Sequence, residues 1–148
     1  MNSLGNSISG LVYNGAECRY PGGPRKVVMK FSRCRDQKNI SLEEFYSNHG
    51  GKGAKQMLEF LEAFRILPFH RDVFGLTSVL SLKLLAEDDY ESTHWVAVEP
   101  TRDGIVVSGL LGKPMDGRID EFRELFRDPM EAAQMALSAM EWSGGWAH

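Results

Sequence analysis

The segment His49-Gly50-Gly51-Lys52-Gly53 is the most chemically suggestive in the chain. A glycine-rich turn that opens a helix can present backbone N–H groups to a phosphate or carboxylate, and Lys52, with Lys55 nearby, would add positive charge. The segment departs from a nucleotide-binding loop because it follows a helix instead of a strand and lacks the Gly-x-x-x-x-Gly-Lys-Ser/Thr pattern. A helix-to-helix connection with glycine at the cap accounts for the same residues. It therefore stands as an alternative anion site beside a structural reading.

A second group of polar residues, Glu87, Asp88, Asp89, Tyr90 and Glu91, precedes His94. A carboxylate beside an imidazole can orient the ring and raise its pKa. These acids fall in a predicted loop, the other histidines (His49, His70, His148) are distant in sequence, and no Cys/His cluster has metal-ligand spacing. Cys34 lies between Arg33 and Arg35, which would favour a thiolate if the thiol were exposed. A cysteine nucleophile also needs a positioned base, and no Gly-x-Ser-x-Gly elbow is present. No catalytic residue, metal site or cofactor is assigned, and the reading leans away from an enzyme.

Aromatic residues are the remaining candidates. Trp95, Trp142, Trp146 and Tyr90 are of the type that anchors protein interfaces. Trp95 alternates with Val96 and Val98, so if those valines face a helical layer, Trp95, Ala97 and Glu99 lie on the opposite face of a sheet.

The elements that would hold these residues follow from periodicity. Leu76 to Glu87 alternates with Leu76, Ser78, Leu80, Leu82, Leu84 and Ala86 on one side, which predicts one strand. His94 to Glu99 and Ile105 to Leu111 predict two more, joined by Pro100 to Gly104, where Asp103-Gly104 is a hairpin signal. Lys26 to Arg33 predicts a fourth strand with Val27, Met29 and Phe31 on one face. Ser41 and Glu44 form a capping box for a helix from Leu42, with Ile40 and Phe45 as its hydrophobic staple. A second helix from about Ala54 carries Met57, Leu58, Leu61, Phe64 and Leu67 and ends before Pro68. Ile119 to Phe126 reads as a third helix. The fourth starts at the box Asp128 to Glu131 with Pro129 at its first position, and stops before Trp142.

The resulting order is strand, two helices, three-strand meander, two helices. This predicts an α+β fold with a mainly antiparallel four-stranded sheet and helices packed on one face. Residues 1–25, rich in glycine, proline, Asn and Ser, read as a loosely structured arm in which Leu11 to Tyr13 could add an edge strand, and residues 26–148 as a single domain.

Composition bounds the function class. A chain of 148 residues with 43% hydrophobic and 25% charged residues fits one globular domain. A net charge of −3 without a basic stripe argues against a nucleic-acid partner. No stretch is long and apolar enough for a membrane span, and residues 1–10 lack a signal-peptide pattern, which makes cytoplasmic the expected location. Two cysteines without close spacing read as reduced thiols.

In size, acidity and α+β layout the chain resembles many bacterial immunity proteins that neutralise partner toxins. The resemblance implies a small non-catalytic, protein-binding domain. The expected interface is the open sheet face with the acidic loop, comprising Glu87, Asp88, Asp89, Tyr90, Glu91, Trp95 and Glu99, and the expected partner is a basic protein or a second copy of the chain. The alternative is a small-molecule or anion-binding domain, or an enzyme, with a pocket near His49 to Gly53.

Overall fold

The alternation of Met29 and Phe31 with Lys30 and Ser32 becomes the first strand, β1 (Lys30–Arg33), in the computed structural model, which describes residues 29–110 and 121–146. A 3₁₀ turn (Arg35–Gln37) leads to α1 (Leu42–His49) and α2 (Gly51–Arg65). Four antiparallel-connected strands follow: β2 (Asp72–Ser78), β3 (Ser81–Leu85), β4 (Trp95–Thr101) and β5 (Gly104–Leu110). Strand β6 (Glu121–Phe126) and helix α3 (Pro129–Ser143) complete the described residues. The predicted N-terminal arm and its short strand at Leu11 to Tyr13 lie outside them. No helix among the described residues is long and apolar enough to cross a membrane.

Among the described residues the fold is α+β, with three α-helices and a six-stranded sheet in sequential order β1-β2-β3-β4-β5-β6. β1 pairs with β2 in parallel, and every other pair is antiparallel. The expected four-stranded, mainly antiparallel sheet is thus corrected to a six-stranded mixed one, for two reasons.

First, Leu76 to Glu87 is not one strand. The chain reverses at Val79 and Leu80, with Ser78 paired to Ser81 and Thr77 to Leu82. The reversal shifts the parity, so Val73, Gly75 and Thr77 face the helices on β2, whereas Leu82 and Leu84 do so on β3. Leu76 consequently lies on the opposite face from Leu82, not beside it. Second, residues 121–126 form an edge strand instead of a helix. Phe122, Leu125 and Phe126 suit a helical face, but pairing with β5 sends Phe122 and Phe126 to the core side and Leu125 to the other. The tight β4–β5 turn supports this pairing. Gly104 has φ +150°, and a Cβ there would collide with the Phe126 carbonyl, so glycine is required where β5 meets β6.

The helix starts follow the sequence closely. Ser41 Oγ accepts from Glu44 N–H while Glu44 reaches back to the Ser41 amide, completing the capping box of α1. Asp128 Oδ1 accepts from Met130 N–H at the start of α3. The latter helix runs through Trp142 to Ser143 and stops at Gly144, which is left-handed at φ 81°. Its alanines 132, 133, 136 and 139 are all buried and let it lie close on β4 and β5. Phe60, Leu61 and Phe64 of α2, Leu82 and Leu84 of β3, Val96 and Val98 of β4 and Val107 of β5 fill the same core, with Leu137 and Leu80 at its margin.

Two stability experiments follow. Leu82 is fully buried, so Leu82→Ala is expected to destabilise by about 2–5 kcal/mol in urea unfolding, and a loss well below 1 kcal/mol would place it outside the core. Val79 has φ 55° and is 80% exposed, a left-handed conformation that a β-branched residue tolerates poorly. Val79→Gly is expected to raise stability by about 1 kcal/mol, because it relieves backbone strain and forfeits no buried contact.

Candidate functional site

With all three helices on one side, the second face of the sheet carries the alternate residues of every strand. Its centre is apolar. Leu85 and Val106 are 1% and 7% exposed, yet neither belongs to the core beneath the helices. Phe74, Leu76, Ala97 and Trp95 are half-buried around them, and Leu125 is 47% exposed. Register places Leu85 beside Trp95, and Glu99, Val106 and Leu125 in one cross-strand row. Polar side chains lie over this layer. Lys83 Nζ sits 4.9 Å from the centroid of the Trp95 ring, a cation–π contact. Arg123 and Glu99 approach to 3.7 Å across β5. Trp95 and Glu99 therefore share this face, as alternation implied.

The tryptophans have three different fates. Trp146 is buried and its Nε1–H donates to the Asp72 carbonyl at 3.0 Å, fastening the end of α3 to the start of β2. Trp142 is exposed on α3. Only Trp95 joins the second face.

The acidic loop is partly committed to the fold. Asp88 Oδ1 accepts from the Arg35 N–H at 2.6 Å, Asp88 Oδ2 accepts from Lys38 Nζ at 3.0 Å, and the Asp88 carbonyl accepts from Arg35 Nε at 2.7 Å. These bonds draw the loop from the end of β3 back across β2 to the turn after β1. Asp88 thus ties the loop to the fold, whereas Glu87, Asp89, Tyr90 and Glu91 are exposed. Burial alone would raise the Asp88 carboxyl, but the hydrogen bonds and charges of Lys38 and Arg35 outweigh it and hold it below the ordinary carboxylate range. Cys34 is buried next to this tie. Burial pushes its thiol up, the Arg35 N–H partly offsets this, and the Asp88 charge raises it again, so the condition of exposure under which Arg33 and Arg35 would favour a thiolate is not met.

His94 does not join the acids. Its ring packs against Gly145, where any Cβ would collide with it, and Nδ1 lies 3.2 Å from Thr93 Oγ1. Among the described residues no group of three His, Cys, Asp or Glu side chains could hold a metal ion.

The glycine segment joins α1 to α2. Gly50 and Gly51 take φ of 69° and 87°, the left-handed bend that turns one helix directly into the next. Gly53 is held by a close approach, since a Cβ there would lie 2.9 Å from Leu80 Cδ1. Lys52 Nζ donates to the Arg102 carbonyl at 3.1 Å, and His49 Nδ1 bonds with the Phe45 carbonyl. An open cleft of about 570 Å³ separates the start of α2 from the two hairpin turns, lined by Lys52, Gln56 and Glu99 but not by His49. The structure does not bring His49, Lys52 and a carboxylate together.

Sequence reasoning passed over Arg33, although its place at the end of a strand alternation on the Phe31 side was legible. The residue is 6% exposed, and its guanidinium donates to the Ile40 carbonyl, Gln37 Oε1 and Thr77 Oγ1 beneath the Phe45 ring.

The Asp88 tie has a pH signature. A carboxyl lowered in the folded state contributes stability above its unfolded pKa of about 3.9, lost as pH falls through the folded value. Asp88→Ala should therefore cost about 1 kcal/mol in urea unfolding at pH 7, with the deficit shrinking below about pH 4. A deficit independent of pH would assign Asp88 a packing role only. Comparison of the chain with protein-family models, with curated proteins and with solved structures finds no match to any of them.

Proposed function

We propose that the protein is a non-catalytic binding module that grips another protein with the helix-free face of its sheet. The observation that carries this reading is the second apolar layer, in which Leu85 and Val106 lie at the centre and Trp95, Ala97, Leu76 and Leu125 lead outward to solvent. A half-buried tryptophan within a patch of small and aliphatic residues is the composition of an interface centre. The exposed Glu87, Asp89 and Glu91 at one rim favour a partner with basic residues around an apolar anchor, and would speed its association at low salt. An immunity-like inhibitor of a basic toxin is one protein of this kind. A second copy of the chain is the competing occupant.

The experiment combines sedimentation with capture from the source cell. The expected result is a monomer that retains a basic partner, with Trp95→Ala or Ala97→Glu weakening affinity at least about thirtyfold while the circular dichroism spectrum is unchanged. Association should slow as salt is raised. A partner held equally well by both variants would overturn the reading, and a dimer protecting Trp95 would replace the foreign partner by a second copy.

A further inference from the structure

Arg33 is a buried cation without a counter-ion among the described residues. No carboxylate lies within ion-pair distance of it, and Nε is buried with no hydrogen-bond partner. Its other donors meet only neutral acceptors: Ile40 O at 3.3 Å, Gln37 Oε1 at 3.3 Å and Thr77 Oγ1 at 2.6 Å. The nearby acids are engaged elsewhere. Glu43 is held by Arg65 Nε at 2.6 Å, Glu44 completes the cap of α1, and Asp88 is tied to Arg35 and Lys38. A guanidinium stays charged at neutral pH, and a charge taken out of water without an opposite partner is strongly unfavourable. Among the described residues nothing supplies the opposite charge, which an anion bound in a neighbouring cleft would provide.

Arg33 walls two clefts. The smaller, about 380 Å³, also contains Asp36, which opposes an anion. The larger, about 500 Å³, is lined by Lys38, Asn39, Ser41, Glu44 and Arg65 beside Arg33, so three cations, an amide and a hydroxyl meet there against one carboxylate, which is drawn to the cap of α1. We propose that this larger cleft, between β1 and the segment Lys38 to Ser41, binds a small anion bearing a phosphate or carboxylate group, with Arg33 as the residue that fixes it. Arg33 keeps Nε as a spare donor for an oxygen of either group, while its terminal nitrogens stay bonded to Ile40, Gln37 and Thr77. Lys38 and Arg65 supply the surrounding field while keeping their bonds to Asp88 and Glu43. This site is separate from the glycine segment and from the sheet face.

The test is an amide-resolved NMR titration of the full chain with inorganic phosphate and, in a parallel arm, with succinate, each against sodium chloride at matched ionic strength. Saturable shifts at Arg33, Asn39 and Ile40 are expected, and the arm that saturates at the lower concentration identifies the group recognised. Arg33→Met should weaken this binding at least tenfold. Should Arg33→Met fail to fold, Lys38→Ala is expected to weaken it several-fold. Shifts reproduced by sodium chloride, shifts centred on Gly51 to Gly53, or binding unchanged in the folded variants would overturn the proposal.

Discussion

A strand points successive side chains to opposite faces, so a sheet with helices on one side must find a different environment for every second residue. This constraint organises the whole molecule. Val96, Val98, Ile105 and Val107 go under α2 and α3, and their immediate neighbours Trp95, Ala97, Glu99, Val106 and Ser108 go to the other side. Because β4 and β5 are apolar on both sides at several positions, the second face cannot be simply a solvated one. Long polar side chains reach across it, Lys83 over Trp95 and Arg123 to Glu99 across β5, and keep their charges in water.

The polar end of the sheet is built on the same constraint. Arg33 follows Phe31 onto the helix side of β1, where no apolar neighbour can satisfy it. Gln37 meets this need from the 3₁₀ turn. Its Oε1 accepts from the Thr77 N–H and hydroxyl and from Arg33, while its Nε2 donates to the Thr77 carbonyl, so one amide side chain continues the ladder where β1 stops. Tyr46 closes the opposite wall. Its buried hydroxyl donates to the Leu80 carbonyl, and burial, only partly offset by the Arg33 charge, pushes its pKa up, so it remains a donor at any physiological pH. The β2–β3 turn is thereby held from below by Tyr46 and flanked by Gly53, which is consistent with a Val79 backbone strained by its surroundings instead of by its own preference.

The acidic loop shows how a surface charge cluster divides its labour. Asp88 ties the loop to Arg35 and Lys38 across two strands, and that tie holds the loop over the region of Cys34. Its neighbours Glu87, Asp89 and Glu91 keep their exposure and their field. Fifty-three residues separate Asp88 from Arg35, so the contact is a statement about the tertiary arrangement and could not be heard in either segment alone.

The sequence by itself determined what depends on near neighbours. Ser41 with Glu44 and Asp128 with Pro129 marked two helix starts, because a cap is satisfied within three residues. Asp103-Gly104 marked the β4–β5 hairpin, and the alternation of Val96 and Val98 against Trp95 divided the two faces of β4. Tertiary structure decided the rest. Val79 and Leu80 carry no turn chemistry, so the reversal that makes β2 and β3 two strands comes from burial of Val73 and Thr77 together with Leu82 and Leu84, not from local preference. Phe122, Leu125 and Phe126 have helical spacing, and pairing with the edge of β5 overrode it, keeping Phe122 and Phe126 on the core side and sending Leu125 to the other. Alternation puts Arg33 on the Phe31 side of its strand, but only the packing of Phe45, Gln37 and Thr77 around it makes it a buried charge.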